Sequence, residues 1–141
     1  MLKKTVTYTN FNDEEKSVDL YFNLTRTELL KIDSDLPGGI QKTLESAVDL
    51  FQQGDQTGIK SLIDLFVSRA YGVRSDDGES FVKNDGALFA EFTNTAAYDE
   101  FYMSLFESEE GLMSFFNGIM PQAVQDEVAK MVEGGHDGPE A

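Results

Sequence analysis

The sequence predicts an α+β fold, mostly α: an N-terminal β-hairpin packed on a bundle of about five to seven short helices, with a small hairpin in mid-chain. Three observations carry this. Period-two alternation of apolar and polar residues is concentrated in residues 4–24. Helical spacing takes over at Thr25 and recurs to Ile119. The main interruption, Val73 to Val82, sets an Asp-Gly pair between two short alternating segments.

In the hairpin, Val6 and Tyr8 alternate with Thr5, Thr7 and Thr9, and Val18, Leu20, Phe22 and Leu24 alternate with Asp19, Tyr21 and Asn23. The polar run Asn10 to Lys16 is the turn. A two-stranded sheet is marginal alone in water, so its apolar face needs helices as cover. Thr25 and Glu28 then form a Thr-x-x-Glu capping box, and Leu29, Ile32 and Leu36 mark one face of the helix behind it. Pro37-Gly38-Gly39 ends that helix and begins another, carrying Ile40, Leu44, Ala47, Val48 and Phe51. After Gly54, Asp55 caps a third, with Ile59, Leu62, Ile63, Phe66 and Ala70; its added Leu65 and Val67 predict burial on more than one side. The mid-chain hairpin reads as an excursion from the bundle. Leu88 and Phe92, then Tyr98, Phe101, Tyr102 and Leu105 behind Thr95, then Leu112, Phe115, Phe116 and Ile119 behind Ser108, complete the helical part. The expected organisation is one compact domain over residues 1–121, with a helical part from 25. A short helix carrying Val124, Val128 and Met131 and a flexible acidic tail are expected over 122–141.

The chain has 141 residues, a formal net charge of −15 and no cysteine. Such a surface repels nucleic acid, and no segment approaches the roughly 20 apolar residues that span a bilayer. Neither nucleic acid nor membrane is an expected partner. His136 is the only histidine and sits in a Gly-rich terminus, so Cys–His and Ser–His nucleophiles and His- or thiolate-bound zinc are not expected. Asp33 to Gly38 fails as a calcium loop because Pro37 occupies a ligand position and Leu44 stands where the glutamate belongs. Asp76-Asp77-Gly78-Glu79 reads as hairpin chemistry, and Gly38-Gly39 as helix termination rather than phosphate binding. The expectation is a non-enzymatic protein with no catalytic residue, cofactor or metal. What remains is apolar surface. The cluster Phe101, Tyr102, Met103, Phe106, Met113, Phe115, Phe116, Ile119 and Met120 is denser than one helix face needs. Most of it should be core. From it, Phe101, Phe106, Met113, Phe115, Phe116, Ile119 and Met120 are the candidate partner-binding residues, because Met and Phe suit adaptable helix-binding grooves.

The ordered set Thr7-Tyr8-Thr9-Asn10-Phe11, Leu20-Tyr21-Phe22-Asn23-Leu24-Thr25, Ser68 to Gly78, Phe81-Val82-Lys83-Asn84, Phe92 to Tyr98 and Phe116 to Pro121 resembles the tail assembly chaperones of long-tailed phages infecting Gram-positive bacteria. The resemblance covers residues 5–121. It implies a cytoplasmic protein of the infected cell that binds the tape measure protein, keeps it soluble for tail tube assembly and is absent from the finished virion. A longer frameshifted form of the chain, the tail tube protein and a second copy are further partners to be expected. The turn at Asn12 to Glu15 departs from the Gly-containing turn of that family. Charge alone motivates the alternative, an acidic phage inhibitor that mimics DNA and occupies a host nuclease or regulator.

Overall fold

The computed structural model describes residues 1–119; the helix expected over 122–132 and the tail behind it lie outside them. Strands β1 (Leu2–Thr9) and β2 (Glu15–Phe22) pair antiparallel with Val6 opposite Val18. The predicted alternation sets the faces: Leu20 and Phe22 are buried, whereas Lys3, Thr5, Thr7 and Thr9 are exposed. On the exposed face the Thr5 hydroxyl donates to Asp19 Oδ1 at 2.7 Å, and the Lys3 ammonium lies 3.8 Å from the same carboxylate.

Asn10 organises the turn. Its N–H donates to the Glu14 carbonyl at 2.9 Å, and its Oδ1 accepts from the N–H of Asn12 and of Glu14 at 2.9 and 3.0 Å. An Asn side chain that bonds backbone groups beyond itself stands in for the Gly-based turn. Asp13 takes the left-handed conformation at φ 60°. The tip is thus tied by its own hydrogen bonds, and Phe11 in it is 82% exposed.

The described residues form two compact units, one of Met1–Asn23 with Asp64–Ile119 and one comprising Leu24–Ile63. The second contains α1 (Arg26–Asp35), α2 (Gly39–Gln52) and the start of α3 (Thr57–Ala70). The capping box forms as predicted: Glu28 N–H donates to Thr25 Oγ1 at 3.1 Å, and Thr25 N–H to Glu28 Oε1 at 2.9 Å. Gly38 and Gly39 both take positive φ, and the Asp33 carboxylate accepts the Ile40 N–H at 2.7 Å, satisfying an amide of the first turn of α2. Asp55 Oδ1 does the same for Thr57 at 2.9 Å. Gly58 brings α3 against α2, since a Cβ there would lie 3.2 Å from the Ala47 backbone and side chain.

In the first unit the mid-chain hairpin extends the sheet instead of standing apart from it. β3 (Tyr71–Arg74) pairs with β2, placing Tyr21 opposite Gly72 and Phe22 opposite Tyr71, and β4 (Phe81–Val82) pairs with β3, giving the order β1-β2-β3-β4. Gly72 is required by close approach. A Cβ would meet Phe81 Cε2 at 2.6 Å and the Val82 carbonyl at 2.8 Å. Just past β4, the Lys83 ammonium donates to the carbonyls of Arg69 at 2.6 Å and Asn23 at 2.9 Å, so a cation closes the C-terminal end of α3. A 3₁₀ turn (Asn84–Gly86) leads into α4 (Ala87–Phe92), followed by α5 (Ala96–Leu105) and α6 (Glu109–Ile119). Thr95 and Ser108 accept the N–H groups of Tyr98 and Gly111, the caps that the sequence predicts.

Aromatic rings fill this unit's core. Phe22 stacks on Phe101 at 4.8 Å and meets Phe115 edge-on at 5.4 Å; Phe101 and Phe115 lie 5.7 Å apart. Tyr71 stacks on Phe92 at 4.3 Å, and Phe66 meets Phe116 at 5.4 Å. Replacing Phe22 with Ala is therefore expected to cost about 3–5 kcal/mol in chemical denaturation. Gly72→Ala is expected to cost about 1–3 kcal/mol by overpacking, because the clash includes backbone as well as ring. Unchanged denaturation midpoints would show that neither contact bears on stability.

Candidate functional site

Apolar side chains held in water by rigid elements are the raw material of a protein-binding surface. Along α5, Ala97, Phe101 and Leu105 repeat every four residues and turn into the core. One step around the helix, Tyr98, Tyr102 and Phe106 repeat at the same interval, half-buried. Their rings form a continuous stripe, with Tyr98 and Tyr102 5.7 Å apart, Tyr102 and Phe106 5.1 Å apart, and Phe89 of α4 5.9 Å from Tyr98. Farther round the same helix Met103 is 60% exposed, and on α6 Met113 is 41% exposed.

The candidate residues therefore divide. Phe101, Phe115, Phe116 and Ile119 are buried, Phe106 is half-buried, Met113 is exposed, and Met120 lies outside the described residues. Helix geometry accounts for the division. Phe115 and Phe116 sit about 100° apart on α6, and both fall within the wide face this helix turns to the core. Met113 sits about 160° from Phe115 and escapes it.

The Tyr102 hydroxyl donates to Asp64 Oδ1 on α3 at 2.5 Å. Partial burial, with that hydrogen bond and the carboxylate's charge, raises the pKa of Tyr102 well above the ordinary phenol value. Burial and the charge of Asp64 also raise Tyr98, and burial with Glu91 raises Tyr71. The stripe is thus a neutral aromatic surface on a strongly anionic chain.

Several carboxylates elsewhere hold local structure. Asp77 accepts the Ser75 hydroxyl at 2.7 Å and the Glu79 N–H at 3.0 Å; both bonds hold its pKa below the ordinary carboxylate value and lock the β3–β4 turn. Among the described residues no group of three or more His, Cys, Asp or Glu gathers as a metal site, and no helix is long and apolar enough to cross a membrane. A cleft of about 490 Å³ opens where β2 and β3 part above the Tyr21–Gly72 pair, lined by Asp19, Leu20, Tyr21, Val73 and Arg74 and by the start of the β3–β4 turn. In it the Arg74 guanidinium lies 4.4 Å above the Tyr21 ring and donates to its hydroxyl at 3.1 Å. Neither this cleft nor the display of Phe11 figured among the sequence candidates. A lone Phe inside a polar turn was the available signal for the second, whereas the first depends on a pairing across distant residues.

The folded state favours neutral Tyr102, so its contribution is full below the unfolded phenol value of 10.0 and is lost as pH rises above it. Tyr102→Phe is accordingly expected to be less stable than the wild type at neutral pH and to lose less stability between neutral and strongly alkaline pH. Parallel pH curves for the two proteins, measured by thermal unfolding, would remove this role.

The model of a family described as phage tail assembly chaperone matches residues 1–139. No curated protein and no solved structure matches.

Proposed function

The chain belongs to the phage tail assembly chaperone family, and on that premise we propose that it binds the tape measure protein in the host cytoplasm, keeps it soluble for tail assembly and is left out of the finished virion. Membership itself implies protein partners in tail assembly. The family match is the observation that carries the reading; the surface chemistry supports the choice of partner. A long, largely helical tape measure presents amphipathic stretches that aggregate unless covered. Helix-in-groove docking buries such a face against Met and aromatic side chains. The α5 stripe with Met103, Phe106 and Met113 supplies both kinds of residue without drawing on the core.

Charge suits the same task. With −15 on each copy, loaded chaperones repel one another, which keeps a decorated tape measure from cross-linking its neighbours. Binding rests on apolar contact and anti-aggregation on the anionic exterior.

Coexpression with the tape measure protein of the same phage is the test. Stoichiometric copurification and increased solubility of the tape measure are the expected results; a soluble pair that does not copurify sinks the proposal. The double substitution Met103→Asp with Met113→Asp is expected to reduce capture by roughly tenfold or more, since each thioether withdrawn from the interface weakens binding by about 1 kcal/mol. Both positions are exposed, so the melting temperature should change little. Undiminished capture by the folded double variant would move the binding surface elsewhere.

A further inference from the structure

The sheet has an open internal edge. In an antiparallel pair, alternate residues direct both backbone polar groups to the same neighbour. The Asn10 N–H bonds the Glu14 carbonyl, so in this register the even-numbered residues of β2 face β1. The Asn23 N–H bonds the Ala70 carbonyl, which puts the odd-numbered ones on the β3 side. Pairing with β3 stops at Tyr21. Beyond it, the amide groups of Glu15, Ser17 and Asp19 point away from β1 with no strand opposite them among the described residues. All three residues are exposed, and the cleft at the fork is the upper end of this edge.

We infer that an extended, basic segment of the tape measure protein adds to the sheet along the open edge of β2, a second contact that rests on the function proposed above. Charge selects this occupant. Glu15 and Asp19 lie on the edge, and Asp76 and Asp77 stand across the cleft. Against them are Lys3, shared with Asp19, and Arg74, held on Tyr21, while Lys16 of the same strand alternates onto the opposite face of the sheet from Glu15 and Asp19. A second copy is a poor fit. Antiparallel pairing of two β2 strands about Ser17 would set Glu15 opposite Asp19 of the other chain, at both ends, between bodies of charge −15. An incoming strand with cations opposite Glu15 and Asp19 and an apolar residue beside half-buried Val18 satisfies the edge instead. The fork keeps the slot open, because the β3–β4 turn is braced by its own bonds: Ser75 N–H to the Ser80 carbonyl, Gly78 N–H to the Ser75 carbonyl, and the Asp77 carboxylate.

Ser17→Pro isolates the interaction, since proline removes an N–H that the fold does not use and is tolerated where a strand's N–H faces solvent. The variant should fold and capture the coexpressed tape measure roughly tenfold less well, because it loses at least one backbone hydrogen bond and its ring obstructs the edge. Hydrogen exchange of the wild-type complex gives an independent reading, in which the Ser17 and Asp19 amides exchange quickly in the free protein and slow at least tenfold when the tape measure is bound. If the wild type forms a complex but these amides stay unprotected, the inference is overturned and the chaperone reading stands. Absence of any wild-type complex removes both. Protection that grows with concentration in the isolated protein assigns the edge to a second copy and overturns the inference as well.

Discussion

Phe22 is the residue on which the first unit depends. It ends β2, is fully buried, stacks on Phe101 of α5 and meets Phe115 of α6 and Tyr71 of β3 at their edges. One ring thereby ties two helices to the sheet and packs against the neighbouring strand. Offset and edge-on aromatic contacts are directional as well as apolar, so the cluster sets orientation where an aliphatic core sets only proximity. The rings of Tyr71 and Phe92 continue the packing to α4. No buried polar or charged residue is found among the described residues, which leaves shape and ring geometry to specify the arrangement.

Local structure was legible because its causes are local. The Thr25 and Glu28 pair, the Thr95 and Ser108 caps, the Pro37-Gly38-Gly39 break and the alternation of the first hairpin each involve residues a few positions apart, and each appears as read. The role of Asp33, which caps α2 from across a turn, was not legible, because no periodicity marks an acceptor seven residues upstream. Nor was the joining of the mid-chain hairpin to the N-terminal one. That junction depends on Gly72 giving Phe81 room and on Lys83 closing two carbonyls far apart in the chain. The apolar cluster near the end of the described chain was visible as a cluster, but which members face the core depends on packing partners that composition does not reveal.

The division within that cluster separates residues that the core needs from residues that it leaves exposed. Phe101 and Phe115 cannot be given to a partner without dismantling the core, whereas Met103 and Met113 contribute little to it. A chaperone must release what it holds. A surface of half-buried rings and flexible thioethers, each adding a small increment, favours an adaptable grip over a single deep anchor. On the proposed function, the anionic exterior would work alongside it by holding loaded copies apart.

In chain order the second unit interrupts the first between β2 and β3, and within the first unit the Asn23 amide donates to the Ala70 carbonyl. On the ribosome this order has a cost. The first hairpin emerges early, but two of the three rings packed on Phe22 arrive only with the last helices, so this core cannot close until nearly the whole described chain has been made. Until then the nascent chain exposes an aromatic strand end of the kind that drives misassembly. A member of a chaperone family thus passes through an aggregation hazard during its own synthesis, and most of its negative charge arrives late, since Lys3, Lys4 and Lys16 offset Asp13, Glu14 and Glu15 in the first hairpin.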